Sequence, residues 1–125
     1  MSKVIFTEKA PAAVGPYSQA IKEGNVVYCS GQIPLVPETG ALVEGDIKAQ
    51  ATQALKNVKA VLTEAEADVT NVVKTTVYLV DMADFAAVNE VYADFFGDHK
   101  PARSCVAVKE LPKGARVEVE VLVVL

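Results

Sequence analysis

From Asp46 onward, apolar residues return at spacings of three and four: Ile47, Ala51, Ala54, Leu55, Val58, Val61, Leu62 and Ala65. That period is one face of a helix, and Asp46 is placed to cap its first turn. A second helical stretch begins near Asp84, with Phe85, Val88, Tyr92, Phe95 and Phe96 on its apolar side and Gly97 as its stop. Between the two, residues 72 to 80, "VVKTTVYLV", are β-branched almost throughout and predict a central strand.

Toward the N-terminus, "AIKEGNVVYCSG" places a Glu-Gly turn between two short β-prone runs and predicts a hairpin. With Glu23 and Gly24 as its loop, Tyr17 falls opposite Ser30. "QIPLVPETGALVEG", with prolines at 34 and 37, reads as a loop. After the "GDHKPA" loop come two more strands, Arg103 to Lys109 and Arg116 to Val124, turning through "ELPKGA".

The order strand, strand, helix, strand, helix, strand, strand predicts an α+β fold: one mixed sheet with both helices on one face. Val72 and Val80 alternate with Val73, Val77 and Leu79, and the terminal "VLVVL" is apolar on both sides. The sheet face that two helices cannot cover is therefore expected to meet other subunits.

Composition supports that expectation. Hydrophobic residues make up 51% of 125, and the mean hydropathy of +0.26 is high for a chain of one domain, residues 1–125. The net charge of −4 does not favour phosphate-backbone binding. Two cysteines, Cys29 and Cys105, lie inside strand-like runs, which fits a reducing, cytoplasmic compartment. No window approaches the ~18 apolar residues of a membrane span, and "MSKVIFTEKAP" meets charge before a signal core could form.

Candidate chemistry centres on Arg103. Its neighbours Ala102, Ser104 and Cys105 are too small to cover a long stem, and an open guanidinium is a planar fork suited to a carboxylate. A hairpin between the last two strands would bring Glu118 or Glu120, which share a face, toward it; alternation does not choose between them. The plainer reading is a structural ion pair. Ser30 and Gly31 end a strand at "CSGQ", and Tyr17 follows "VGP"; by themselves these read as a bonded hydroxyl, a close backbone approach and a capping aromatic.

Cys105 has no evident base, so it reads as a packed thiol. His99, the single histidine, reads as a solvated loop residue, and no metal site is expected. The isolated turn glycines form no phosphate loop, so no nucleotide cofactor is indicated.

Taken together, "APAAVGPYSQAI", "YCSGQIPLVPETG", "QATQALKNVKAVL", "VVKTTVYLVDMADFAAVNEVYADFF" and "KPARSCVAVKELPKGARVEVEV" resemble, in order and over the full length, the Rid (reactive intermediate deaminase, YjgF) family, and most closely its RidA branch. The resemblance implies a homotrimer of chorismate-mutase-like subunits with active sites in the clefts between neighbours. It also implies cofactor-free hydrolysis of 2-iminobutanoate or 2-iminopropanoate, released by pyridoxal-phosphate-dependent dehydratases, to the 2-keto acid and ammonia.

Arg103 matches the arginine that holds the substrate carboxylate, and Glu118, rather than Glu120, matches the acid that positions the attacking water. Tyr17, Ser30, Gly31, Asn89 and Cys105 match further pocket positions, Gly31 and Cys105 through their backbone. The same resemblance implies that the "GDHK" loop before Pro101 is shorter than in some members of the family. Two other classes of function stand beside this one: a module that senses a small carboxylate without turnover, and an RNA-cleaving inhibitor of translation.

Overall fold

The computed structural model describes residues 2–125. Six strands form one sheet: β1 (Lys3–Ile5), β2 (Ala20–Glu23), β3 (Val26–Cys29), β4 (Val72–Leu79), β5 (Ala102–Ala107) and β6 (Val117–Val124), in the spatial order β1-β2-β3-β6-β4-β5. Only the β4–β5 pair is parallel, so the sheet is mixed. Two helices, α1 (Ile47–Glu64) and α2 (Phe85–Phe96), pack on one face, the α+β arrangement that the periodicities predict.

Helix α1 begins where expected. Asp46 is extended, and its carboxylate accepts from the Ala49 N–H at 2.9 Å. The alanines at 51 and 54 are fully buried, which lets the helix approach the sheet closely between Leu55, Val58 and Leu62. α2 ends at Gly97, whose φ of 62° needs the freedom of glycine.

Four details depart from the sequence reading. An N-terminal strand, β1, which periodicity over three residues cannot reveal, pairs with β2 at the sheet edge. The β2–β3 hairpin turns through Gly24 and Asn25, since Glu23 pairs with Val26. Ser30 consequently lies beside Gln19, to whose carbonyl its N–H donates at 2.9 Å, and not opposite Tyr17. A one-residue slip in a hairpin loop moves every facing pair, and the side chains cannot signal it.

The third departure is the expected hairpin between the last two strands. β4, α2 and β5 form a strand–helix–strand unit, which lays β5 parallel beside β4, and β6 returns antiparallel along the other edge of β4. β6 is thus central, between β3 and β4, where its apolar side of Val117, Val119, Val121 and Val123 is buried. The short connection made a hairpin look natural, but the open edge of β4 was the larger surface to cover.

Fourth, a register irregularity between Val72 and Lys74 turns Val72 to the helix side with Val77 and Leu79, all three buried. The open face is instead crossed by a row of paired residues, Val4, Ile21, Tyr28, Leu122 and Lys74, one on each of five strands. Val4 is 59% exposed and Tyr28 54%.

Candidate active site

Strand parity separates Arg103 from both glutamates. Arg103 is the ladder partner of Thr75, while Glu118 and Glu120 are the partners of Tyr78 and Thr76. Thr75 is buried under the helices and Tyr78, three residues along β4, points from the opposite face. The expected approach of Glu118 toward Arg103 within the chain is therefore corrected: the sheet itself lies between them.

On the open side, Tyr17, Ser30, Gly31 and Glu118 meet around a cavity of about 440 Å³, with Pro11, Ile33 and Leu35 as apolar lining. Buried amides hold its walls. Gln19 accepts from the Thr7 N–H at 2.8 Å and donates to the carbonyls of Thr7 and Pro11 at 3.0 and 2.9 Å, fixing the N-terminal loop. Asn57, wholly buried on α1, donates to the carbonyls of Ile33 and Leu35 at 3.1 and 2.9 Å, fixing the opposite wall. Ser30 Oγ donates to the Ser18 carbonyl at 2.6 Å, as its plainer reading supposes.

Gly31 is required by contact rather than by φ. The backbone of Gln32 exchanges hydrogen bonds with Val119 at 2.8 and 3.0 Å, which presses Gly31 against the neighbouring Glu118. A Cβ on residue 31 would lie 2.8 Å from the Glu118 carboxyl carbon and closer still to Oε2.

The two glutamates differ in their surroundings. Glu120 accepts from the Tyr78 hydroxyl at 2.8 Å on the exposed surface. Glu118 lines the cavity, and among the described residues nothing donates to its carboxylate. Burial raises the Glu118 carboxyl above the ordinary carboxylate value, and the charge of Glu120 adds to the shift. A carboxylate short of solvation and of partners is a proton acceptor in search of a donor.

Beyond the sheet, a second cavity of about 410 Å³ holds Arg103 and Asn89 with Tyr92, Phe96 and Pro101. Arg103 Nη1 donates to Asn89 Oδ1 at 2.7 Å. The guanidinium lies 4.8 Å from the Tyr92 ring centroid and 5.4 Å from that of Phe85. Among the described residues no carboxylate pairs with it. Its remaining donors are free to take an anion.

Cys105, two residues further along β5, packs against the core, and burial raises its thiol despite the nearby Arg103 charge. Cys29 is pushed up to about 12 by burial. Neither thiol is a ready nucleophile at neutral pH. His99 is not a solvated loop residue: its Nε2–H donates to the Val72 carbonyl at 2.6 Å.

Sequence reasoning missed Phe85 and Tyr92 as partners of Arg103, assigning both only to the apolar side of α2. Their spacing with Asn89, four then three residues, was the available signal, since it puts a polar residue in the middle of that stripe. It also missed Lys113, which reaches the rim of the larger cavity from the turn before β6.

With this fold and these residues in place, the chain belongs to the endoribonuclease L-PSP family, also called Rid or YjgF, whose model matches residues 7–125. It is 56% identical over 120 residues to a RutC family protein of Pyrococcus abyssi, covering 96% of this chain and 94% of that one. It is 52% identical over 127 residues to the 2-iminobutanoate/2-iminopropanoate deaminase of Salmonella typhimurium, covering 99% and 98%. The crystal structure of Escherichia coli TdcF with bound serine superposes with a TM-score of 0.94 at 44% identity, over 98% of each chain. Among the described residues, no helix is long and apolar enough to cross a membrane.

Proposed function

We propose that this chain is a cofactor-independent imine hydrolase that converts small 2-imino acids, such as 2-iminobutanoate and 2-iminopropanoate, to 2-keto acids and ammonia. The observation that carries the reading is the pairing of two incomplete half-sites. Among the described residues, one holds a half-buried carboxylate without a donor, Glu118, and the other holds a guanidinium without an anion, Arg103. A substrate with a carboxylate beside a C=N carbon needs both. The deaminase name of the Salmonella relative, and the serine bound to TdcF, are in keeping with a small carboxylate ligand.

Because the sheet separates the half-sites within one chain, the working site joins Arg103 of one copy to Glu118 of the next, in a homotrimer closed through the open sheet face. Arg103, oriented by Asn89, clamps the carboxylate and so fixes where the imine carbon sits. Tyr17, Ser30 and Gly31 border that carbon from the Glu118 side, while Cys105 lends its backbone to the arginine side.

Water oxygen then bonds to the imine carbon as the C=N π pair moves to nitrogen. Glu118 takes the water proton and delivers it to that nitrogen, giving a carbinolamine. In the second half, Glu118 takes the hydroxyl proton and returns it to the amine as the C–N bond breaks, leaving the keto acid and ammonia. Imines hydrolyse readily in water, so orientation and one base contribute enough.

A coupled assay tests this: a pyridoxal-phosphate-dependent dehydratase supplies the imine, and keto acid and ammonia are read. Acceleration over the dehydratase alone is expected; binding of a 2-keto acid without acceleration would favour a sensing module. The shared site has its own check. Arg103→Ala and Glu118→Gln chains, each retaining only a small residual activity, are expected to regain about a quarter of wild-type activity when refolded together at equal amounts, since about one interface in four then pairs two intact halves. Absence of regain in verified mixed trimers would place both residues in one chain's site.

Gly31→Ala is expected to force the Glu118 carboxylate out of its position. The overlap costs roughly 1–3 kcal/mol of stability, read by thermal denaturation, and at least about tenfold in kcat/KM through the misplaced base.

A further inference from the structure

We propose that Thr75 and Tyr92 are positioning residues that set the plane of the Arg103 fork, an inference that rests on Arg103 being the carboxylate clamp. Thr75 and Arg103 are ladder partners on β4 and β5, so the sheet fixes their spacing. The hydroxyls of Thr75 and Tyr92 are 2.8 Å apart, and both residues are buried, Thr75 fully. The Tyr92 ring in turn lies 4.8 Å from the Arg103 guanidinium carbon.

These three links close a triangle: backbone ladder, hydroxyl pair, ring under cation. A lone aromatic shelf would leave the ring free to slide along α2. The hydroxyl pair ties it to the same rung of the sheet that carries Arg103. Asn89 then stops the guanidinium from turning within its plane, through the 2.7 Å bond to Nη1. What remains unspent on Arg103 is the edge carrying Nε and Nη2, presented at one angle. A carboxylate held bidentately on that edge has its imine carbon aimed in one direction, which decides whether water activated across the subunit boundary can reach it.

A merely structural role for the hydroxyl pair makes a different forecast. Removing one hydroxyl leaves the other buried and unpaired, which destabilises; removing both with near-isosteric groups is close to neutral. If the pair served only stability, Thr75→Val/Tyr92→Phe would behave like wild type in every respect. If it positions Arg103, the double variant recovers its melting temperature and keeps the ligand defect.

The experiment measures 2-oxobutanoate binding by calorimetry, with thermal melting and coupled turnover, for wild type, Tyr92→Phe, Thr75→Val, the double variant, and Tyr92→Phe in an Arg103→Ala background. The expected result is a roughly three- to thirtyfold weaker Kd in both single variants and in the double, a fall in kcat besides, and no further weakening in the Arg103→Ala background. Wild-type Kd in the double variant, or an equal loss on top of Arg103→Ala, would overturn the inference while leaving the hydrolase reading standing. Weakened binding in variants of a wild type that binds but does not turn over would uphold the inference and remove the hydrolase reading. A wild type that does not bind 2-oxobutanoate would overturn the inference, and the hydrolase reading would go with it only if the coupled assay also showed no acceleration.

Discussion

Replacing Arg103 by alanine is expected to lower kcat/KM for a small 2-imino acid by roughly 10²- to 10⁴-fold, the worth of two charge-assisted hydrogen bonds to the substrate carboxylate. The side chain is exposed and has no ion-pair partner among the described residues, so its loss should change folding stability little. Arg103→Lys keeps the charge but presents a point instead of a fork, and should recover binding more than turnover. Circular dichroism, assembly state by light scattering and the coupled ammonia assay together separate a lost clamp from a lost fold. Full turnover in a folded Arg103→Ala protein would sink the clamp.

Glu118→Gln is expected to reduce kcat by roughly 10²- to 10⁴-fold, the usual worth of a positioned general base, with an opposite effect on stability. Burial raises the Glu118 carboxyl in the folded chain, so its ionised form opposes folding. The stabilising contribution belongs to the protonated form. It is present below the ordinary carboxylate value and lost as pH rises through the raised one.

Glutamine is neutral throughout, so the variant should melt at or above the wild-type temperature at neutral pH, with the gap closing in acid. Turnover follows the reverse course. Only ionised Glu118 accepts a proton, so wild-type kcat/KM should fall in acid as Glu118 is protonated, and the residual activity of Glu118→Gln should lack that limb. A limb that survives the substitution would assign the base elsewhere. The first alternative is Glu120, which accepts from the Tyr78 hydroxyl and is the more exposed of the two.

The two variants lie on either side of one sheet, and that fact marks where linear reasoning stopped. α1 was legible to its cap, because Asp46 and the apolar stripe from Ile47 to Leu62 act within a few residues of one another. α2 and its stop at Gly97 were legible for the same reason. Strand identity was legible from β-branched runs, but pairing was not: nothing in "ELPKGA" says that β4 will lie between β5 and β6. Gln19 and Asn57, whose amides fix the cavity walls, carry no periodic signal, since each bonds to backbone at least eight residues away in sequence.

By itself the sequence determined most of the element types and the mixed α+β class, and it singled out Arg103, all written in residue type and short spacing; the resemblance carried by motifs over the full length supplied the family and chose Glu118 over Glu120. Tertiary structure decided the rest. It set the hairpin through Gly24 and Asn25, pressed Gly31 against Glu118, stacked Arg103 on Tyr92, and put the sheet between cation and carboxylate. The reason is parity: residues alternate faces along every strand, but which face meets which neighbour depends on strand order and register, and these are set by burying the whole sheet at once.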